Sequence, residues 1–325
     1  MLRRLPLLVV LLLGLPRLLQ ATEDVLSVTL NNTSGSPSTS EGYTFNNGQS
    51  AITSFTTGTN TYGIASTANN VFVRRNAVNN NQSSVWYTAS GVGTDLSGIH
   101  QNDYGSLLLN NNVYSGSDNI FANGTDVTTG NIERVDFTWN SPITVTNSMA
   151  FAVFDRGAAN VHDAFAIAAV TAIDGAGNPT AYSSLLIVAA GWSSGGNAIA
   201  DFTYRLFRYN TGDIISATTD SSATVTQGLG GIIIRTSDLG LAGGSTIYGY
   251  SLMAADVTAS NSTQLLDWTN ATYFPTTTDG TTGGNGLDLA AVNGLLLGVV
   301  PEPAPPAVLL GAFALLTAAC ARRRS

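Results

Sequence analysis

The sequence predicts an all-β protein, most simply an antiparallel sandwich or jelly-roll-like domain. Three observations carry that prediction. Apolar and polar residues alternate with period two in several short segments, as half-buried strands require. Glycine, asparagine, serine and threonine fill the gaps between them, with 34 glycines in 325 residues, and these are turn-forming residues. No stretch shows the three-to-four spacing of a long amphipathic helix.

The elements follow in order. Residues 71–75 and 85–89 are the first strand-like runs. They lie in a front region, 31–130, whose strands are short and polar and whose blocks 78–83 and 110–112 read as asparagine-rich loops. Residues 132–139 are the clearest strand. Val135, Phe137 and Trp139 share one face, and Arg134, Asp136 and Thr138 share the other, predicted polar face. Residues 149–154, 164–173 and 185–190 are nearly all apolar, as strands buried on both faces are. Asp174-Gly175-Ala176-Gly177-Asn178-Pro179 lies between two of these runs and reads as a hairpin loop. Residues 202–206, 231–236 and 246–255 complete the strand set, and 275–286 is a Thr/Gly-rich loop. A single domain over 22–298 is the preferred division, with a sub-boundary near 118–130 as the alternative.

Both ends of the chain read as targeting segments. Residues 1–21 have Arg3 and Arg4 ahead of the apolar run 5–15, the layout of a secretory signal peptide. At the other end, Pro301, Glu302 and Pro303 sit in a linker, 299–306. The apolar run 307–321 and then Arg322, Arg323 and Arg324 follow it. Fifteen helical residues rise about 22 Å, short of the roughly 30 Å hydrocarbon core, so this is a barely sufficient single transmembrane helix. The arginines hold 322–325 on the cytoplasmic side, which places the body outside.

The proline–glutamate–proline, span and arginine cluster together resemble the PEP-CTERM sorting signal of exosortase substrates. The resemblance is confined to about the last 25 residues. It implies recognition of the tail by an exosortase-type membrane transpeptidase, removal of the helix during export, and a Gram-negative-type bacterium that makes an extracellular polymeric matrix. The expected location is therefore the cell surface or extracellular matrix, with transient anchoring in the inner membrane.

Composition narrows the functions of the body. Between residues 22 and 300, seven arginines stand against twenty acids, about −13 in charge, which disfavours nucleic acid and anionic membranes as partners. The chain has no lysine, so Schiff-base chemistry and a Lys–Asn cross-link are excluded. Its one cysteine, Cys320, lies in the apolar run, so no disulfide braces the body.

Motifs for chemistry are sparse. His100 and His162 are the only histidines, and no HExxH or Gly-x-Ser-x-Gly pattern occurs. Asp163 follows His162, but neighbours on a strand point to opposite faces. Glu133, Asp136, Asp155, Asp163 and Asp201 lie on or beside predicted strands, yet no spacing brings two of them together as glycoside hydrolysis would need. Gly283-Gly284-Asn285-Gly286-Leu287-Asp288 matches one copy of a calcium-binding nonapeptide, whose β-roll needs tandem copies. Trp192 and Trp268 border polar loops and are the candidates for stacking on sugar rings.

No catalytic residue, cofactor or resident metal is assigned. The expected function is a non-enzymatic, structural or adhesive surface or matrix protein. The alternative is a carbohydrate-binding module for extracellular polysaccharide, with calcium as its candidate ion.

Overall fold

The computed structural model describes residues 22–40, 42–45, 48–76, 82–91, 104–123, 131–210, 215–216, 225–278 and 286–300. The signal segment 1–21, His100, Gly283 to Asn285 and the sorting tail from Pro301 lie outside the described residues.

The chain is all-β. In order, its strands are β1 (Glu23–Asp24), β2 (Ser27–Thr33), β3 (Ser38–Ser40), β4 (Tyr43–Phe45), β5 (Gln49–Thr56), β6 (Thr61–Thr67) and β7 (Asn70–Arg75). Next come β8 (Gln82–Tyr87), β9 (Ala89–Gly91), β10 (Asn112–Asp118), β11 (Ile132–Thr144), β12 (Met149–Gly157), β13 (Phe165–Ile173) and β14 (Pro179–Tyr182). The last are β15 (Leu186–Val188), β16 (Ile199–Asn210), β17 (Ile215–Ser216), β18 (Val225–Arg235), β19 (Thr246–Met253), β20 (Ala290–Ala291) and β21 (Leu295–Val299). Two short helices, α1 (Tyr104–Leu108) and α2 (Ser262–Leu266), are the α-helical segments among the described residues. No helix among them is long and apolar enough to cross a membrane.

Every strand pairing among the described residues is antiparallel. A 12-stranded sheet runs β2-β5-β6-β21-β12-β18-β16-β8-β10-β20, with β1 on β18 and β17 on β16. A 6-stranded sheet runs β14-β13-β19-β11-β7, with β15 on β13. Front-region strands are interleaved with later ones: β6 pairs with β21, β7 with β11 and β8 with β16.

The layers explain the sequence pattern. Phe151 and Val153 of β12 and Ile232 and Ile234 of β18 pack against Val135, Phe137, Phe165, Tyr250 and Leu252 of the smaller sheet, forming a sandwich-like core. Ala150, Ala152 and Phe154 alternate with them and point the other way. They enter a second core with Ile52, Phe55 and Trp86, because the large sheet curls until β10 packs against β5. Both faces of β12 are therefore covered, which is why 149–154 is apolar throughout.

One strand departs from expectation. The face of β11 predicted to be a polar outer surface is closed: Arg134 is 2 % exposed, and Asp136 and Thr138 are fully buried. The cover is the segment from Val257 to Phe274, whose Val257, Ala259, Leu265 and Phe274 pack on Ala166, Ala168, Val170 and Met253 of the smaller sheet's outer face. A polar residue enters such an interface only with partners, and the pairings described below supply them.

Candidate functional site

Ionised groups gather at the end of β12. Asp155 and Arg156 are neighbours on a strand buried on both faces, so they project into different layers. Nη2 of Arg156 donates to Asp118 Oδ1 and Asp288 Oδ2, each at 2.5 Å. The guanidinium carbon lies 3.9 Å from the Tyr204 ring centroid and 5.2 Å from that of Trp86, a cation–π arrangement in the second core. Burial opposes the charge, but Asp288 and Asp118 outweigh it and raise the guanidinium's pKa. Nε and Nη1 have no hydrogen-bond partner among the described residues.

Asp155 holds a histidine. Its Oδ2 is 3.2 Å from His162 Nδ1 and accepts from the Asp163 backbone N–H at 2.9 Å; its Oδ1 accepts from the Asp288 backbone N–H at 2.7 Å. His162 Nε2 lies 2.8 Å from Asn197 Oδ1. Asn197 Nδ2 donates to Gly157 O at 2.9 Å, which fixes the orientation of the amide. Both ring nitrogens thus face acceptors, the environment of an imidazolium. Burial alone would lower the His162 pKa; the bonds and charge of Asp155, together with Asn197, overturn that and raise it. The ring also stacks on Trp192, with centroids 4.7 Å apart.

Two further acids are pushed upward. Burial, then the charge of Asp155, raises half-buried Asp163 to about 6. Burial raises Glu133 to about 7, with the Asn123 hydrogen bond opposing and Asp256 reinforcing.

The structure brings three of the sequence candidates together, Asp155, His162 and Asp163, and separates the rest. His162 pairs with Asp155 rather than with Asp163 beside it in sequence. Asp136 belongs to a different cluster with Arg74 and Arg134, and Asp201 is exposed. Arg156, Asp118 and its pairing with Asp288 were not foreseen. The one hint was two oppositely charged neighbours, Asp155-Arg156, at the end of an apolar run. Asp288, the aspartate of the nonapeptide match, has both carboxylate oxygens engaged, by Asn119 N and Arg156 Nη2.

Trp192 is a core ring. It is 7 % exposed, stacks on His162 and donates from Nε1 to Asp163 O at 2.9 Å, so its ring is not open for sugar stacking. Trp268 is half-buried and packs against the outer cluster that holds Leu265 and Phe274. The two tryptophans belong to different clusters and form no shared platform.

Chemically, the Asp155–His162 pair binds a proton and fastens the loop carrying Trp192 and Asn197. Its Nε2 meets an amide oxygen where a hydrolase would present a hydroxyl nucleophile. Among the described residues, no group of three or more His, Cys, Asp or Glu side chains is arranged to hold a metal ion. The chain matches no protein-family model, no curated protein and no solved structure.

These shifts give a pH prediction. Glu133, Asp163 and His162 all have folded-state values above their ordinary ones, so each favours the fold below its ordinary pKa. Each contribution is lost as pH rises through the raised value, about 6 for Asp163, about 7 for Glu133 and above the ordinary imidazole range for His162. The protein should therefore be less stable at about pH 8 than at about pH 5, by about 2 kcal/mol after solvent screening. Urea melts at the two pH values check this, and equal or greater stability at the higher pH refutes it. Glu133→Gln should flatten the dependence.

Proposed function

We propose that the chain is an exported protein of the cell surface or extracellular matrix with a structural or adhesive role. In this reading its body is a jelly-roll-like sandwich, delivered by the leader 1–21 and processed at its C-terminal tail by an exosortase-type membrane transpeptidase. The observation that carries it is the tail itself: Pro301, Glu302 and Pro303, the apolar span 307–321, and Arg322, Arg323 and Arg324.

Two features of the body support the reading. The last strand among the described residues, β21, ends at Val299, next to the motif, so a folded sheet stands directly ahead of the proposed cutting site. The core carries its charges in internal pairs and has no disulfide to maintain. A body of that kind relies on no thiol chemistry and suits a medium of uncertain redox state.

The test is mass spectrometry of the mature protein from cells that express an exosortase-type enzyme. The expected product lacks residues 1–21 and the span with its arginines. Glu302→Gln, or alanine at Arg322 to Arg324, should leave the unprocessed form in the membrane fraction. Recovery of 304–325 intact on the mature product would replace processing with plain anchoring, and recovery of the whole chain from the cytosol would end the export reading.

A further inference from the structure

Asn123, Glu133, Asp256 and Thr278 come from four separate stretches of the chain and meet beside the end of β10. Thr278 donates its backbone N–H to Asn123 Oδ1 at 2.5 Å, and Asn123 returns its own backbone N–H to Thr278 O at 3.1 Å. The Thr278 hydroxyl donates to Asp256 Oδ2 at 2.8 Å and lies 3.2 Å from Pro275 O. Asn123 Nδ2 donates to that same Pro275 oxygen at 2.9 Å and faces the two Glu133 oxygens at 3.3 and 3.4 Å. The threonine hydroxyl and the asparagine carboxamide are thus held around one carbonyl. Asn123, Glu133 and Thr278 are 6 %, 4 % and 2 % exposed. Asp256 Oδ1 is buried without a hydrogen-bond partner among the described residues.

We propose that these residues form an intramolecular ester between Thr278 Oγ1 and Asn123 Cγ, with Asp256 as base and Glu133 as acid. The hydroxyl oxygen attacks the carboxamide carbon while Asp256 takes the hydroxyl proton. The Thr278 N–H, already on Asn123 Oδ1, holds the oxyanion of the tetrahedral intermediate. In that intermediate Nδ2 is an amine, and it takes the Glu133 proton as the C–N bond breaks. One C–O bond forms, one C–N bond breaks and one ammonia leaves. A proton passes in effect from Glu133 to Asp256, and no reset is needed because each chain reacts once. No oxidant, metal or second substrate enters.

The surroundings fit these roles. Burial keeps Glu133 protonated up to about pH 7, as an acid in this position requires, and burial likewise raises Asp256 and makes it a better base. An ester is less stable than an amide in water, but loss of ammonia and an effective concentration on the order of 10⁵ M or more favour the intramolecular product. Exclusion of water then protects the ester from hydrolysis. The chain has no lysine for an amide cross-link and no cysteine between residues 22 and 300, so a hydroxyl–carboxamide pair is the covalent brace its composition leaves available. The bond would join residues 155 positions apart, tying the end of β10 in the large sheet to the segment that covers the smaller one.

The experiment is peptide mapping of the purified full chain by tandem mass spectrometry. The expected result is one species containing both the Asn123 and the Thr278 peptides, lighter than their sum by one ammonia, that separates on hydroxylamine treatment. Two unlinked peptides of unmodified mass would overturn the proposal. So would unlinked peptides with Asn123 converted to aspartate, because water rather than Thr278 would then be the nucleophile. Thr278→Val should abolish the link and lower the melting temperature by roughly 10 °C, while Thr278→Ser should keep it. Glu133→Gln preserves shape and burial and should fold without forming the link. A link formed as fast in that variant would overturn the assignment of the acid.

Discussion

Replacing Asp136 with asparagine is expected to lower the unfolding free energy by about 4 kcal/mol. The carboxylate is fully buried on β11 and serves several donors at once. Its Oδ1 accepts from Arg134 Nε at 2.6 Å, Ser251 Oγ at 2.6 Å and Tyr182 OH at 3.1 Å. Its Oδ2 accepts from Arg74 Nε at 2.8 Å and Arg134 Nη2 at 3.2 Å. Arg134 is anchored from its far side by a hydrogen bond to Leu265 O and cannot swing into water. An amide in place of the carboxylate leaves two guanidinium groups without a counter-charge, one of them 2 % exposed, and turns a donor toward donors. The cost belongs to the orphaned charges rather than to the lost bonds. Urea unfolding followed by fluorescence measures it. Asp201→Asn, at an exposed position, should change stability by less than about 0.5 kcal/mol. A loss below about 1 kcal/mol for Asp136→Asn would mean that the arginines find water or other partners and that the outer layer is not closed. Arg134→Met with Asp136→Leu should recover part of the loss, since apolar groups of similar size replace buried ion pairs at little cost.

Gly230→Ala is the second large effect, expected at about 3 kcal/mol. A β-carbon at Gly230 would lie 2.1 Å from His162 Nε2 and 2.5 and 2.6 Å from two ring carbons. The ring has nowhere to retreat, because Trp192 stacks on it and Asp155 and Asn197 hold its nitrogens. The substitution therefore displaces the imidazole from both acceptors and leaves Asp155 buried beside an empty position. Gly58→Ala and Gly175→Ala are controls, since a β-carbon at either meets nothing within 4 Å. Adding His162→Ala to Gly230→Ala should cost less than the sum of the two single changes, the signature of a shared contact. Thermal melts of the single, double and control variants decide it; an additive pair would place the clash elsewhere.

The sequence showed what depends on near neighbours. Period-two alternation at 132–139 found β11, and unbroken apolar runs found β12 and β13, because side-chain direction along a strand is a local property. It did not show what covers a face. Arg134 and Asp136 read as surface residues, and only the return of the segment Val257 to Phe274 across the sheet makes them interior. The strands β2, β5 and β6 are polar and weak in isolation, and their places in the large sheet depend on distant partners such as β21. The start of β18 was missed for another reason. Its glycines at 228 and 230 look like chain breakers, yet they are needed where Asn197 and His162 press against the strand. The candidate site suffered most. Arg156 reaches Asp118 and Asp288 across 38 and 132 residues, and no spacing rule spans such distances.

The position of β21 has a consequence for how the molecule is made. It lies between β6 and β12 in the interior of the widest sheet, yet the ribosome delivers it after every other strand among the described residues. Until residue 299 has emerged, the strands on either side of the gap keep bare edges, and the sheet cannot zip up from its beginning. The nascent polypeptide therefore stays loose until residues 295–299 have been made, and closure of the sheet awaits their arrival between β6 and β12.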